Sequence, residues 1–109
     1  MNEQELYIKK IRPWMQAQEA LGRLFWFKVH GAGYQRSGIP DLIISLNGLF
    51  VAIELKSPEA RGKAAEPTPA QWSCMASIRR SGGGLTAVAQ SLEDVQKIIS
   101  EVEVSRHVR

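Results

Sequence analysis

A chain of 109 residues with 44% hydrophobic and 23% charged content has the make-up of one compact domain, 1–109, and too little material for two independent cores. Its formal charge of +3, with basic residues spread along the whole chain, permits a polyanionic partner without requiring one. Cys74 is the only cysteine, which excludes an intramolecular disulfide, and no stretch has the apolar continuity of a transmembrane helix or secretory leader, so an intracellular, cytoplasmic protein that meets no membrane is expected.

From Glu3 to about Leu21 the apolar residues Leu6, Ile8, Ile11, Trp14, Met15 and Leu21 recur at helical spacing, and Pro13 should kink or divide that helix. Phe25 to His30, aromatic and β-branched with Lys28 among its polar positions, reads as a strand. Gly31 to Pro40 is a glycine-rich loop. Asp41–Leu46 and Leu49–Lys56 are strand-like runs joined by Asn47-Gly48, the pair that favours a two-residue type I′ turn. Both runs are nearly continuously apolar in the middle, which implies a sheet covered on both faces.

Ser57 to Pro67, with Pro58, Arg61, Gly62 and Lys63, should be a mobile basic loop. Thr68 then has the features of a helix cap, with Pro69 at the first helical position and Gln71 at the third. That helix should run to about Arg80 and stop at Gly82–Gly84, with Cys74 a buried, reduced thiol between Trp72, Met75 and Ile78. No Lys-Ser/Thr follows the three glycines, so they are a helix stop and not a phosphate loop. Thr86–Ala89 is a short strand, Ser91 caps a last helix to about Val102, and His107 faces solvent. The order αβββαβα is that of an α/β protein, a sheet flanked by helices.

Pairing that runs outward from Leu46 opposite Leu49 sets Asp41 opposite Glu54, with Cβ atoms roughly 4.5 to 5.5 Å apart on one face. Lys56 shares the face of Glu54, two residues away. Opposed like charges flanked by Ile43, Ile44, Val51 and Ile53 destabilise a hairpin unless something cationic compensates. Without a soft His/Cys cluster, the compensating ion would be Mg²⁺ or Mn²⁺. Such an ion polarises a phosphodiester and acidifies a bound water, while Lys56 orients or deprotonates the attacking water or neutralises developing charge. The alternative is a solvated, frayed hairpin end with Lys56 as a surface counter-ion.

The run Gly38-Ile39-Pro40-Asp41-Leu42-Ile43, then Phe50-Val51-Ala52-Ile53-Glu54-Leu55-Lys56 and Gln71, closely resembles the VRR-NUC domain of the PD-(D/E)xK nuclease superfamily, from Glu5 to the last helix. The resemblance implies a restriction-endonuclease-like core with a mixed sheet, and a Mg²⁺- or Mn²⁺-dependent nuclease. It also implies likeness to the small stand-alone members, typically phage-borne, which resemble Holliday-junction resolvases in fold and dimeric organisation. By that resemblance Asp41 and Glu54 are metal ligands, the backbone carbonyl of Leu55 completes the metal site, and Lys56 is the catalytic lysine. Gln71 matches the family's helix glutamine; it is otherwise the capping-box partner of Thr68, and one side chain is not expected to hold both roles. The family's acid on the first helix is matched by Glu5, with Glu3 the second choice; either could instead be a favourable charge at a helix N-terminus.

Lys28, His30, Tyr34, Arg36, Arg61 and Lys63 are the candidate DNA contacts, each with a solvated surface role as the alternative. The expected function is a structure-selective DNA endonuclease acting as a homodimer on four-way junctions or other branched DNA. Its rival is a non-catalytic module that binds DNA or a replication protein on a nuclease-like fold. Clustered acids facing a polyanion disfavour the rival.

Overall fold

The computed structural model describes every residue except Ala32, Tyr34, Gly82 and Arg109, and no side chain of Arg106, His107 or Val108. Tyr34, Gly82 and the His107 side chain, all named above, thus lie outside the described residues.

The chain opens on α1 (Glu3–Leu6), a π-helical turn (Tyr7–Ile11) and α2 (Arg12–Ala20), which follow one another without a break. The division expected at Pro13 takes a particular form. Proline has no N–H and crowds the carbonyl four residues back, so an unbroken α-helix there is disfavoured. The turn before it widens instead, the Arg12 N–H reaching back five residues to the Tyr7 carbonyl, and the chain resumes as α-helix with Pro13 in the first turn of α2.

Asn47 and Gly48 both take positive φ, 52° and 81°, as a type I′ turn requires, and they join β2 (Leu42–Leu46) to β3 (Leu49–Leu55). The register runs from Leu46 opposite Leu49 to Leu42 opposite Ile53, as the turn dictates. β1 (Phe25–Lys28) pairs antiparallel with β2, and β4 (Leu85–Ala89) pairs parallel with β3, giving a mixed sheet in the order β1-β2-β3-β4. Between β3 and β4 come a 3₁₀ turn (Gly62–Ala65) and α3 (Pro69–Arg80); α4 (Leu92–Val108) ends the chain. The element order matches that expected.

Leu42, Ile44, Leu46, Val51, Ile53 and Leu55 alternate onto one face, where Leu6, Ile11 and Met15 of the first helical stretch and Val95, Ile99 and Val102 of α4 close over them. The opposite face is only half covered. There Ala52 and Glu54 are buried beside Cys74 and Met75 of α3, whereas Phe25, Phe27 and Phe50 are 59%, 49% and 48% exposed. The expectation of a sheet covered on both sides fails at β1, because α3 is the one helix packed there among the described residues.

Two further departures have long-range causes. α4 runs past Val102 because Glu103 accepts a paired hydrogen bond from the Arg23 guanidinium, which also stacks on Trp14 at 5.7 Å. The loop after β3, expected to be mobile, is tied down: Gln90 Nε2 donates to the carbonyls of Ser57 (3.0 Å) and Ala60 (2.9 Å), and the Met1 amine pairs with Glu59 at 2.7 Å. No helix among the described residues is long and apolar enough to cross a membrane.

Candidate active site

Asp41 and Glu54 stand one step beyond the last β2–β3 ladder pair, Leu42 and Ile53, where β2 ends and β3 continues, buried, beside β4. Backbone bonds still hold this end: the Val29 N–H donates to the Asp41 carbonyl at 2.8 Å and the Lys56 N–H to the Ala89 carbonyl at 2.9 Å. The hairpin end is therefore not frayed. The Asp41 carboxylate accepts from the Leu55 N–H through Oδ2 (2.8 Å) and lies 3.6 Å from Lys28 Nζ through Oδ1.

Glu54 is 3% exposed and is the one charged side chain buried in the core among the described residues. Its Oε2 accepts from Gln71 Nε2 at 3.0 Å and lies 3.7 Å from Lys56 Nζ. Its Oε1 is buried without a partner. Burial first, then the neighbouring Asp41 charge, pushes the Glu54 carboxyl up to about 8. An unpartnered buried carboxylate oxygen is costly and rare, and it is what a cation ligand looks like without its cation.

The third acid of the cluster is Glu3, not Glu5. Carboxylate oxygens of Glu3, Asp41 and Glu54 all lie within 4.8 Å of one another. Glu5 is turned away: its N–H and carboxylate form a capping box with Asn2 (2.8 and 3.2 Å), and its other oxygen accepts from Lys9 at 3.3 Å. Local spacing favoured Glu5, but α1 begins with Asn2 as its cap, so its first residue meets the sheet end and its third closes the cap. The Glu3 carboxyl is shifted upward, by desolvation and then by the Asp41 charge. Opposite oxygen ligands on a small hard cation lie about 4.2 Å apart, twice the usual bond length. Oxygens within 4.8 Å of one another are near that spacing, so the three acids could share one such ion after a small adjustment.

Gln71 makes at once the capping contact and the contacts with the acid cluster that were expected to exclude one another. Its Oε1 accepts from the Thr68 N–H at 2.8 Å, closing the capping box of α3, and also from Lys56 Nζ at 3.0 Å. Its Nε2 is free to reach Glu54. A primary amide carries two acceptor positions and two donors, so the exclusion did not hold. Gly38 fixes the distance between this helix start and the aspartate loop: it has φ of 81°, and a Cβ there would come within 2.3 Å of the Ala70 carbonyl oxygen.

The expected DNA contacts are scattered. Lys28 belongs to the acid cluster, donating to the Val29 carbonyl at 3.1 Å beside Asp41 and lying 5.5 Å over the Tyr7 ring. That role was hidden because the ten-residue loop conceals the β1–β2 register. His30 lines a cleft next to Glu3, and Arg36 and Lys63 are exposed. Arg61 turns back on its own loop, bonding the carbonyls of Pro58 (2.9 Å) and Ala60 (2.7 Å). For Leu55 it is the N–H that meets Asp41.

No family model and no curated protein sequence matches the chain. A solved structure described as a VRR_NUC domain superposes with a TM-score of 0.57 at 31% sequence identity, over 84% of this chain and 95% of that one. The mixed sheet, the hairpin acids and this likeness together place the chain in the VRR-NUC family of nuclease domains.

Proposed function

We propose that this chain, folded as one domain, is a Mg²⁺- or Mn²⁺-dependent DNA nuclease of the PD-(D/E)xK type that hydrolyses phosphodiester bonds in branched DNA. The observation that carries the reading is the unpartnered, buried Glu54 Oε1 inside a cluster of three carboxylates. In it, Asp41, Glu54, Glu3 and the Leu55 carbonyl would hold the ion, which when bound would supply Lewis acidity toward the phosphate and the attacking water. Lys56 Nζ, aimed by Gln71 Oε1, donates to the attacking water or to a phosphate oxygen as charge builds there. Gln71 keeps Glu54 and Lys56 3.7 Å apart without allowing them to close into a tight pair. A purely DNA-binding module would gain nothing from burying a carboxylate beside a polyanion.

The proposed assembly is a homodimer docked through the open half of the sheet. The transverse rows Phe25, Ser45, Phe50 and Phe27, Ile43, Ala52 contain no charge, so the face is suited to a second copy of itself. Light scattering should give about twice the chain mass, and junction cleavage should give paired nicks on opposed strands. The central test is Asp41→Asn, incubated with labelled linear, flap and four-way DNA in Mg²⁺, Mn²⁺ or EDTA. Cleavage should require metal and vanish in the variant while DNA affinity survives; full activity in the variant would remove the reading.

A further inference from the structure

Against the acid cluster, on the side of the first helix, lies a cavity of about 330 Å³. It shares Glu3, Lys28 and Leu55 with the acid cluster and its ligand set, and the chemistry proposed above uses none of Tyr7, Ile8, Arg12 and His30. Tyr7, Ile8 and Leu55 supply apolar wall; Arg12, Lys28 and His30 supply cationic or donor groups. The Tyr7 ring is held edge-on by Trp26, with centroids 6.1 Å apart, so that wall is rigid. Lys28 is engaged with Asp41, but the side chains of Arg12 and His30 make no hydrogen bond or ion pair among the described residues.

Arg12 reaches this cavity because of the π turn. In an uninterrupted α-helix, residues nine apart point to roughly opposite sides, at about 100° per residue. The extra residue in the Tyr7–Ile11 turn brings Arg12 back by about one residue's rotation, to the side that carries Glu3 and Tyr7. The distortion that accommodates Pro13 thus also sets a guanidinium beside an apolar wall, next to the proposed centre of phosphate chemistry.

We propose that this cavity seats a single unpaired nucleotide of the DNA strand, adjacent to the phosphate that is cut, with its base against Tyr7 and Ile8 and its own phosphate on Arg12 and His30. The inference rests on the nuclease reading for the nature of the ligand. The size limits the occupant: about 330 Å³ is near the lower end for small-ligand sites and has no room for a base with its pairing partner. A paired base must leave its stack to enter, whereas a base at a branch point, gap or bulge has little stacking to lose. Preference for branched DNA then follows from the ease of unpairing and needs no reading of sequence.

The test uses short duplexes carrying 2-aminopurine either fully paired or in a one-nucleotide bulge, titrated with the full chain in Ca²⁺. The bulged DNA should bind at least about tenfold more tightly, with a fluorescence change that the paired DNA lacks. Ile8→Trp, which fills the cavity, and Arg12→Ala, which removes its free cation, should each bring the bulged DNA down to the affinity of the paired one; both residues are exposed, and circular dichroism checks the fold. Equal wild-type affinity for the two DNAs, or discrimination that survives Ile8→Trp, overturns the inference. Cleavage of the same DNAs in Mn²⁺ separates the two ideas: cutting without discrimination removes the nucleotide seat alone, and discrimination without cutting upholds the seat and removes the nuclease reading.

Discussion

Replacing Glu54 with glutamine should stabilise the metal-free protein, by an amount that grows with pH. The Glu54 carboxyl titrates near 8 in the folded chain against an ordinary 4.5, because it is buried and faces Asp41. The folded state therefore holds this proton more tightly than the unfolded state does. The stabilisation it brings is complete below pH 4.5, declines as pH rises, and is gone above about 8. At about 1.4 kcal/mol per unit, the wild-type protein loses roughly 3 kcal/mol between acid and pH 7, and at most about 5 kcal/mol by pH 9. Domains of this size have only about 5–15 kcal/mol in total, so the loss is large. Glutamine fills the same space, cannot ionise and should flatten the profile. At pH 8.5 in EDTA the variant should be more stable by at least about 2 kcal/mol, or roughly 8 °C or more in Tm. Urea unfolding followed by circular dichroism from pH 5 to 9 measures this, and Mn²⁺ should restore the wild-type protein at high pH while leaving the variant unmoved. A flat wild-type profile, or a variant less stable than wild type at pH 8.5, would refute the assignment of Glu54 as a buried carboxyl waiting for a cation.

Other substitutions separate the roles of neighbouring residues. Glu3→Gln should weaken Mn²⁺ binding by at least about tenfold in calorimetry, whereas Glu5→Gln, which preserves the capping box, should change it less than about twofold; equal losses would deny Glu3 its place in the cluster. Lys56→Ala should cut the single-turnover rate by about 10² to 10³ with metal affinity nearly kept, and the opposite pattern would make Lys56 a binding group. Gln71→Ala and Thr68→Ala should each cost about 1 kcal/mol of stability through the lost cap, but only the first should also slow cleavage. Parallel losses of rate in both would reduce Gln71 to a capping residue.

What was legible in the sequence was whatever is written at short range. Asn47-Gly48 dictates a two-residue turn, the turn dictates the register, and the register brings Asp41 opposite Glu54. Thr68, Pro69 and Gln71 likewise announce where α3 begins. What could not be read depends on contacts between distant segments. Glu3 joins the cluster because the start of α1 lands on the end of β3, and nothing in the spacing of Glu3 and Glu5 says which will point there. Lys28 meets Asp41 only once β1 has found β2 across the glycine-rich loop. Gln90 fastens a loop some thirty residues before it, and Arg23 extends a helix eighty residues after it. The bare aromatic face is a further case: periodicity marks Phe25, Phe27 and Phe50 as apolar without revealing that α3 stops short of them.

The hairpin tip carries a constraint that its exposure conceals. Asn47 and Gly48 are solvent-facing and far along the strands from either acid, so they look like positions where insertion would be tolerated. Strand side chains alternate with a period of two, however, and one added residue that shifted the pairing by a single step would turn Glu54 and Lys56 toward the core while Asp41 stayed where it is. Many substitutions at the tip are tolerable so long as the turn keeps its shape; an altered residue count is not. The loop works as a measuring length for the site, and a change there would disarm the protein without touching any atom of the acid cluster.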